Sequence, residues 1–100
     1  MFDNPRYLTK GIHTEISLFL QMLMWSMIDE MEVEQKDYLQ IFKLVPVEVD
    51  DEMVLAITHT QEQPPYERRI VLNRLTPPVS AKIYVIDDGT HSTMLLAEEY

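Results

Sequence analysis

Three histidines, His13, His59 and His91, are the only side chains in this sequence that move protons near neutral pH without a shifted pKa. None has the spacing that a metal or a proton relay needs, because the chain contains no HExxH, no H-x-H and no metal-spaced partner. His59 follows Met53, Leu55 and Ile57 at every second position of "MVLAITHT". It therefore continues one face of a strand, and the expectation is a half-buried ring satisfied by a neighbour. Carboxylates cluster at "VDDE" (49–52) and "IDD" (86–88), where paired acids could hold a cation or shift each other's pKa. Both clusters lie in turn-forming context, where Asp bonds to its own backbone, so solvated turns are expected. "ERRIVLNR" (67–74) holds three of the eight basic residues. Arg68 and Arg74 share one strand face and Arg69 takes the other. Cross-strand ion pairs are the plain reading, and contact with an acidic peptide or a small anion is the alternative.

Ser17, Ser26, Ser80 and Ser92 lie in no G-x-S-x-G context, and two isolated glycines, Gly11 and Gly89, build neither a P-loop nor a dinucleotide fingerprint. The sequence assigns no catalytic, cofactor-binding or metal-ligating residue. With 100 residues, 46% hydrophobic and 25% charged, it describes a single globular domain over 1–100. The absence of cysteine excludes disulfides and thiol chemistry and suits a reducing compartment. Seventeen acids against eight bases give a net charge of −9, which opposes phosphate backbones and anionic lipid heads. Neither nucleic acid nor membrane is expected as a partner. "MFDNPRYLTKG" carries no signal pattern, and the apolar stretch Ile16–Ile28 is too short to span a bilayer, so the expected location is the cytoplasm.

These residues need elements to position them. Thr14 is a plausible N-cap for a helix running from about residue 14 to 31. From Asp37 onward the pattern turns to β: "YLQIFKLV", "MVLAITHT", "YERRIVLN", "KIYVID" and "STMLLA" are separated by turn material. Asp88-Gly89 reads as a two-residue hairpin turn, and Pro46 places its strand at an edge or a bulge. Short connections imply antiparallel neighbours. The expected fold is α+β, with one amphipathic helix on a mostly antiparallel sheet of five to six strands.

At 100° per residue the helix resolves into two apolar sectors. Ile16, Leu20, Leu23, Met27 and Met31, widened by Phe19 and Met24, form the face assigned to the sheet. Leu18, Met22 and Trp25 form a narrower stripe roughly opposite. Leaving them exposed forgoes ~1.5–3 kcal/mol each relative to full burial. Either the C-terminal segment or the N-terminal lead-in covers this stripe, or it is an interface, most simply of a homodimer, or it lines a ligand groove. The strands "LAIT" and "IVL" also put apolar groups on both sheet faces, so part of the second face is expected to be covered.

The segments "YLTKGI" (7–12), "LQMLMWSMID" (20–29), "DYLQIF" (37–42) and "STMLLAEEY" (92–100) resemble an uncharacterised Firmicute family of small proteins, typified by staphylococcal sequences and numbered 960 among the domains of unknown function. The resemblance implies a low-GC Gram-positive bacterium and a cytoplasmic protein, and it supplies no activity, cofactor or catalytic residue. The resulting expectation is a non-enzymatic interaction or regulatory module that self-associates through Leu18, Met22 and Trp25, or binds another protein there. The alternative is a small enzyme or ligand-binding protein with a pocket between helix and sheet, lined by Tyr38, His59 and Arg68. A third class, an acidic mimic occupying a basic site on a nucleic-acid-binding protein, fits the net charge alone.

Overall fold

The structure, a computed structural model, describes all of residues 1–100. The chain forms β1 (Arg6–Leu8), α1 (Lys10–Glu15), α2 (Leu18–Asp29), β2 (Leu39–Val49), β3 (Glu52–Gln61), β4 (Tyr66–Val71), β5 (Ala81–Asp87), β6 (Ser92–Leu96) and a 3-10 turn over Ala97–Glu99. The six strands make one sheet in the order β1-β6-β5-β2-β3-β4. Every pairing is antiparallel except that of β1 with β6, which brings the two ends of the chain side by side. This is the expected α+β architecture with six strands.

Local chemistry sets the connections. Asp50 and Asp51 both take positive φ, 50° and 64°, between the paired residues Val49 and Glu52. Two left-handed residues match a type I′ hairpin turn, which Asp tolerates. The β5–β6 connection is longer than the expected two residues, with four between Asp87 and Ser92. Gly89 supplies the positive φ of 97°, while the Asp88 carboxylate accepts from the Thr90 and His91 amides at 2.9 and 3.0 Å. Those donors, the His91 amide foremost, hold the Asp88 carboxyl down at about 2. Pro46 lies where β2 has only one neighbour, since β5 pairs with β2 only as far as Leu44. The sheet edge inferred from this proline is present.

The expected helix over 14–31 is two helices with a break. Thr9, not Thr14, caps α1, accepting from the Ile12 amide, and Ser17 caps α2, accepting from the Leu20 amide at 3.3 Å. Ile16 between them is extended at φ −117°. The break exposes the Ile16 carbonyl, and the Gln21 side chain turns inward to donate to it at 2.8 Å. Gln21 is buried for this reason, although it lies on the half of the helix expected to be wet. Gly11 opens α1 against the Glu99 carboxylate, which a Cβ there would approach to 2.7 Å. That carboxylate also accepts from Thr9 Oγ1 at 2.6 Å and the Leu96 amide at 2.8 Å. Its pKa is lowered, chiefly by the Thr9 hydroxyl.

α2 lies across one sheet face. Leu20, Met24, Met27 and Ile28 meet Phe42, Leu44, Leu55, Ile57, Ile83, Val85 and Met94, all buried. The helix ends in two acids, Asp29 and Glu30, at the negative end of its own dipole, which is unfavourable without partners. Each receives an arginine from one outer strand, Arg6 of β1 on Asp29 and Arg68 of β4 on Glu30. Phe2 completes the core from the N-terminus, fully buried with a positive φ of 66°. Asp87 holds it there: its carboxylate accepts from the Phe2 amide at 2.7 Å, Asn4 Nδ2 at 3.0 Å and the Gly89 amide at 2.8 Å. "IDD" was expected to be wet. Asp88 is exposed, but Asp87 is buried, because it continues the Ile83–Val85 core face.

Donation from the Phe2 amide, foremost among these contacts, lowers the Asp87 pKa. Its contribution is present above the unfolded value and is lost as pH falls through the folded one. Asp87→Ala strands three donors and frees Phe2 from the core. The expected loss is roughly 2–4 kcal/mol at pH 7, read from urea unfolding. An unchanged midpoint would refute the role given to this carboxylate.

Candidate functional site

Facing away from the sheet, α2 presents Leu18, Phe19 and Met22, 68%, 57% and 63% exposed. Of the three residues expected to form an outer stripe, Leu18 and Met22 are there. Trp25 is half-buried at the margin, where the Arg6 guanidinium covers its ring at 4.7 Å. The N-terminal lead-in thus covers one of the three. Phe19, assigned to the sheet-facing side, joins the outer face instead. The buried arc centres on Leu20, Met24 and Ile28, so Leu23 and Trp25 become its flanks. Leu8 of β1, 40% exposed, extends the apolar surface past Leu18 along a shallow concavity of about 430 Å³ that also takes in His13, Thr14 and Gln21. Polar groups rim the patch: Thr14, Glu15 and Ser17 at one end, Asp29 and Glu30 at the other.

His59 lies on the other side of the core. It is fully buried rather than half-buried, stacked on Phe42 at 4.2 Å and met edge-on by Tyr66 at 5.3 Å. Its Nε2 is 2.6 Å from Gln40 Oε1, so that nitrogen carries the proton. Gln40 Nε2 in turn donates to Gln61 Oε1 at 2.7 Å and to the Asp37 carbonyl at 2.9 Å. Gln61 Oε1 also accepts from the Asp37 amide at 2.8 Å, and Gln61 Nε2 donates to the Pro64 carbonyl at 2.9 Å. Every proton in the chain has a fixed direction, and the remaining ring nitrogen, Nδ1, has no partner. Burial first, and the Arg68 charge second, press the His59 pKa down to about 4. At neutral pH the ring is therefore uncharged, held by the Gln40 amide and clamped between the Phe42 and Tyr66 rings.

Tyr38, His59 and Arg68, the expected pocket residues, do not line one cavity. His59 and Arg68 are register partners across β3 and β4, while Arg68 reaches to Glu30. Tyr38 is 51% exposed on an open concavity of about 610 Å³, together with Met1, Lys36, Asp37, Gln63 and Pro64. Side chains fill the space between helix and sheet, so the expected pocket there has no counterpart. No three His, Asp or Glu side chains converge as metal ligands, and no helix is long and apolar enough to cross a membrane. Gln40 and Gln61 were missed from the sequence as partners of His59. Their alternation with Phe42 and His59 on the core faces of β2 and β3 was the signal that could have found them.

The family profile described as a staphylococcal protein of unknown function (DUF960) matches residues 5–99. The chain belongs to this family. No curated protein matches this DUF960 member. Its fold is similar to the crystal structure of a protein of unknown function from Enterococcus faecalis, 25% identical, with a TM-score of 0.73 over 98% of this chain and 92% of that one. Across both comparisons the shared property is the whole domain, with no activity attached.

The buried histidine predicts an acid-sensitive fold for this DUF960 protein. Because the folded pKa lies below the ordinary 6.5, unfolding takes up a proton between the two values. The stabilisation is complete above pH 6.5 and falls by about 3 kcal/mol on reaching pH 4. Urea titrations across that window should show the slope in the wild type and its loss in His59→Phe. A slope identical in both proteins would contradict the assignment.

Proposed function

We propose that this protein is a non-enzymatic interaction module that self-associates through the outer face of α2. The observation carrying this reading is Leu18, Phe19 and Met22, three large apolar side chains side by side, each more than half exposed, on an element whose other side is fully engaged. Phe and Met are favoured at interface cores, and the polar ends of the patch supply the wet rim typical of such contacts. A two-fold arrangement with α2 facing α2 makes the same patch serve both copies. Burying three such side chains per copy is worth ~1.5–3 kcal/mol each before association costs.

Charge opposes this pairing, since each copy carries −9. Salt screens that repulsion, so association driven by apolar burial strengthens as ionic strength rises. The alternative of a small enzyme has no lined pocket in its favour.

Sedimentation equilibrium provides the test. The wild type should move from 11.8 kDa toward twice that mass with rising concentration, and more readily at about 0.5 M salt than at 0.05 M. Leu18→Ser combined with Met22→Gln should remain monomeric, weaken association at least tenfold, and keep the unfolding free energy from urea titration within about 0.5 kcal/mol of the wild type. A wild type monomeric at millimolar concentration would overturn the proposal.

A further inference from the structure

The sheet face turned away from α2 has no helix on it, and its side chains follow from strand register. Lys43 of β2 pairs directly with Lys82 of β5 on one side and with Thr58 of β3 on the other, and Thr58 pairs with Arg69 of β4. Phe42, Leu44, Ile57 and Ile83 are buried beneath α2, so the alternating Lys43, Thr58 and Lys82 point to the opposite face. Lys82, Lys43, Thr58 and Arg69 thus form one transverse row across four strands, about 14 Å from end to end. All three cations are exposed.

Every ion pair of the structure involves Arg6, Arg68, Arg74, His91 or the N-terminus, so Lys43, Lys82 and Arg69, like the isolated Lys10 and Lys36, have no carboxylate within 4 Å; what sets the row apart is that its three cations lie together. Lysines directly opposite on neighbouring strands also repel each other. A chain with 17 acids has placed three of its eight bases together and left them unneutralised. The strand acids on this face are Glu67, two residues along from Arg69, and Glu52, which is already paired with Arg74 at 3.0 Å, and the C-terminal Tyr100 lies against Tyr84 at the other end.

Apolar rows run on both sides of the cations. Val45, Ala56 and Val71 are register partners on one side; Tyr84 and Ile41 lie on the other, with Lys82 Nζ 5.6 Å from the Tyr84 ring. Val45 and Val71 are 43% and 47% exposed, Ala56 between them is buried, and Tyr84 is met edge-on by the Tyr100 ring at 5.6 Å. We infer that this face docks an acidic amphipathic segment of a partner protein, its carboxylates on Lys82, Lys43 and Arg69 and its apolar side chains on the flanking rows. Charge complementarity selects this occupant. A phosphate chain would meet the same cations, but it would leave the flanking apolar rows unused, and Tyr84 alone gives bases no run of stacking rings. A second copy's acid-rimmed α2 patch is the surface assigned above to α2–α2 pairing, so its seating on this row is the outcome that concentration-dependent shifts would reveal.

The test uses amide NMR titration of the full chain with two probes, a helical peptide of alternating Glu and Leu stripes and a short oligothymidylate. The peptide should shift the amides of Lys43, Thr58, Arg69 and Lys82, and rising salt should weaken it, opposite to self-association through α2. Lys43→Thr with Lys82→Thr should raise the peptide dissociation constant at least tenfold and also move the urea midpoint upward, since a like-charge pair is removed. Arg69→Gln alone should weaken binding by a smaller factor without a change in fold. Peptide shifts that are absent, that lie elsewhere, or that are the same in the double variant would overturn the inference. So would stronger perturbation of the row by oligothymidylate, or shifts of the row on concentrating the protein alone.

Discussion

One twelve-residue helix has to cover a six-stranded sheet. α2 is roughly 18 Å long, and six strands side by side are roughly 24 Å wide. The helix therefore engages the core face of the central strands and leaves the opposite face without a helix, covered only in part: Val54, Ala56 and Leu95 are buried there and Tyr100 meets Tyr84 edge-on. α1 and the N-terminal segment help at the margins, with Phe2 and Ile12 filling the core beside β6 and β5. No second helix remains to shield the outer side of α2 or the rest of the far side of the sheet. Both carry more apolar surface than solvent alone favours, so interaction is the reading that gives each a use.

The ends of this single layer are tied electrostatically. Arg6 and Arg68 come from opposite margins of the sheet and meet the adjacent acids that end α2. These contacts are partly exposed and each contributes little by itself. Their effect is placement: they fix the helix C-terminus, and Arg6 at the same time covers Trp25. The interior beneath is more polar than a minimal core. Gln40, Gln61 and His59 share one directed hydrogen-bond chain, and Asp87 binds the start of the chain. Each of these groups is satisfied only in one strand register, since a one-residue slip would turn it to the other face.

Periodicity made the strands legible, because β-branched and aromatic residues alternate and proline and glycine punctuate them. Pro46 even marked where β2 loses a neighbour. The helix break was hidden: Ile16 fits an unbroken apolar stripe, and only Ser17 as a cap marks the stop. That break rotates the assignment of α2, sending Phe19 out and Gln21 in. Asp87 looked like turn material because its neighbours Asp88 and Gly89 are. The basic row could not be read from sequence, since Lys43, Lys82 and Arg69 are distant in the chain and only strand register brings them together. The three histidines likewise end in separate places: one buried, one at a loop and one beside α2.

The chain's methionines offer the most direct measurement of the central claim. Met22 lies on the outer face of α2, while Met24, Met27 and Met94 are buried in the core. Methyl NMR of methionine-labelled protein across a concentration series follows each separately. The account predicts that the Met22 methyl shifts and broadens as concentration rises, with Met24, Met27 and Met94 unchanged. A Met22 signal identical from micromolar to millimolar protein would contradict it.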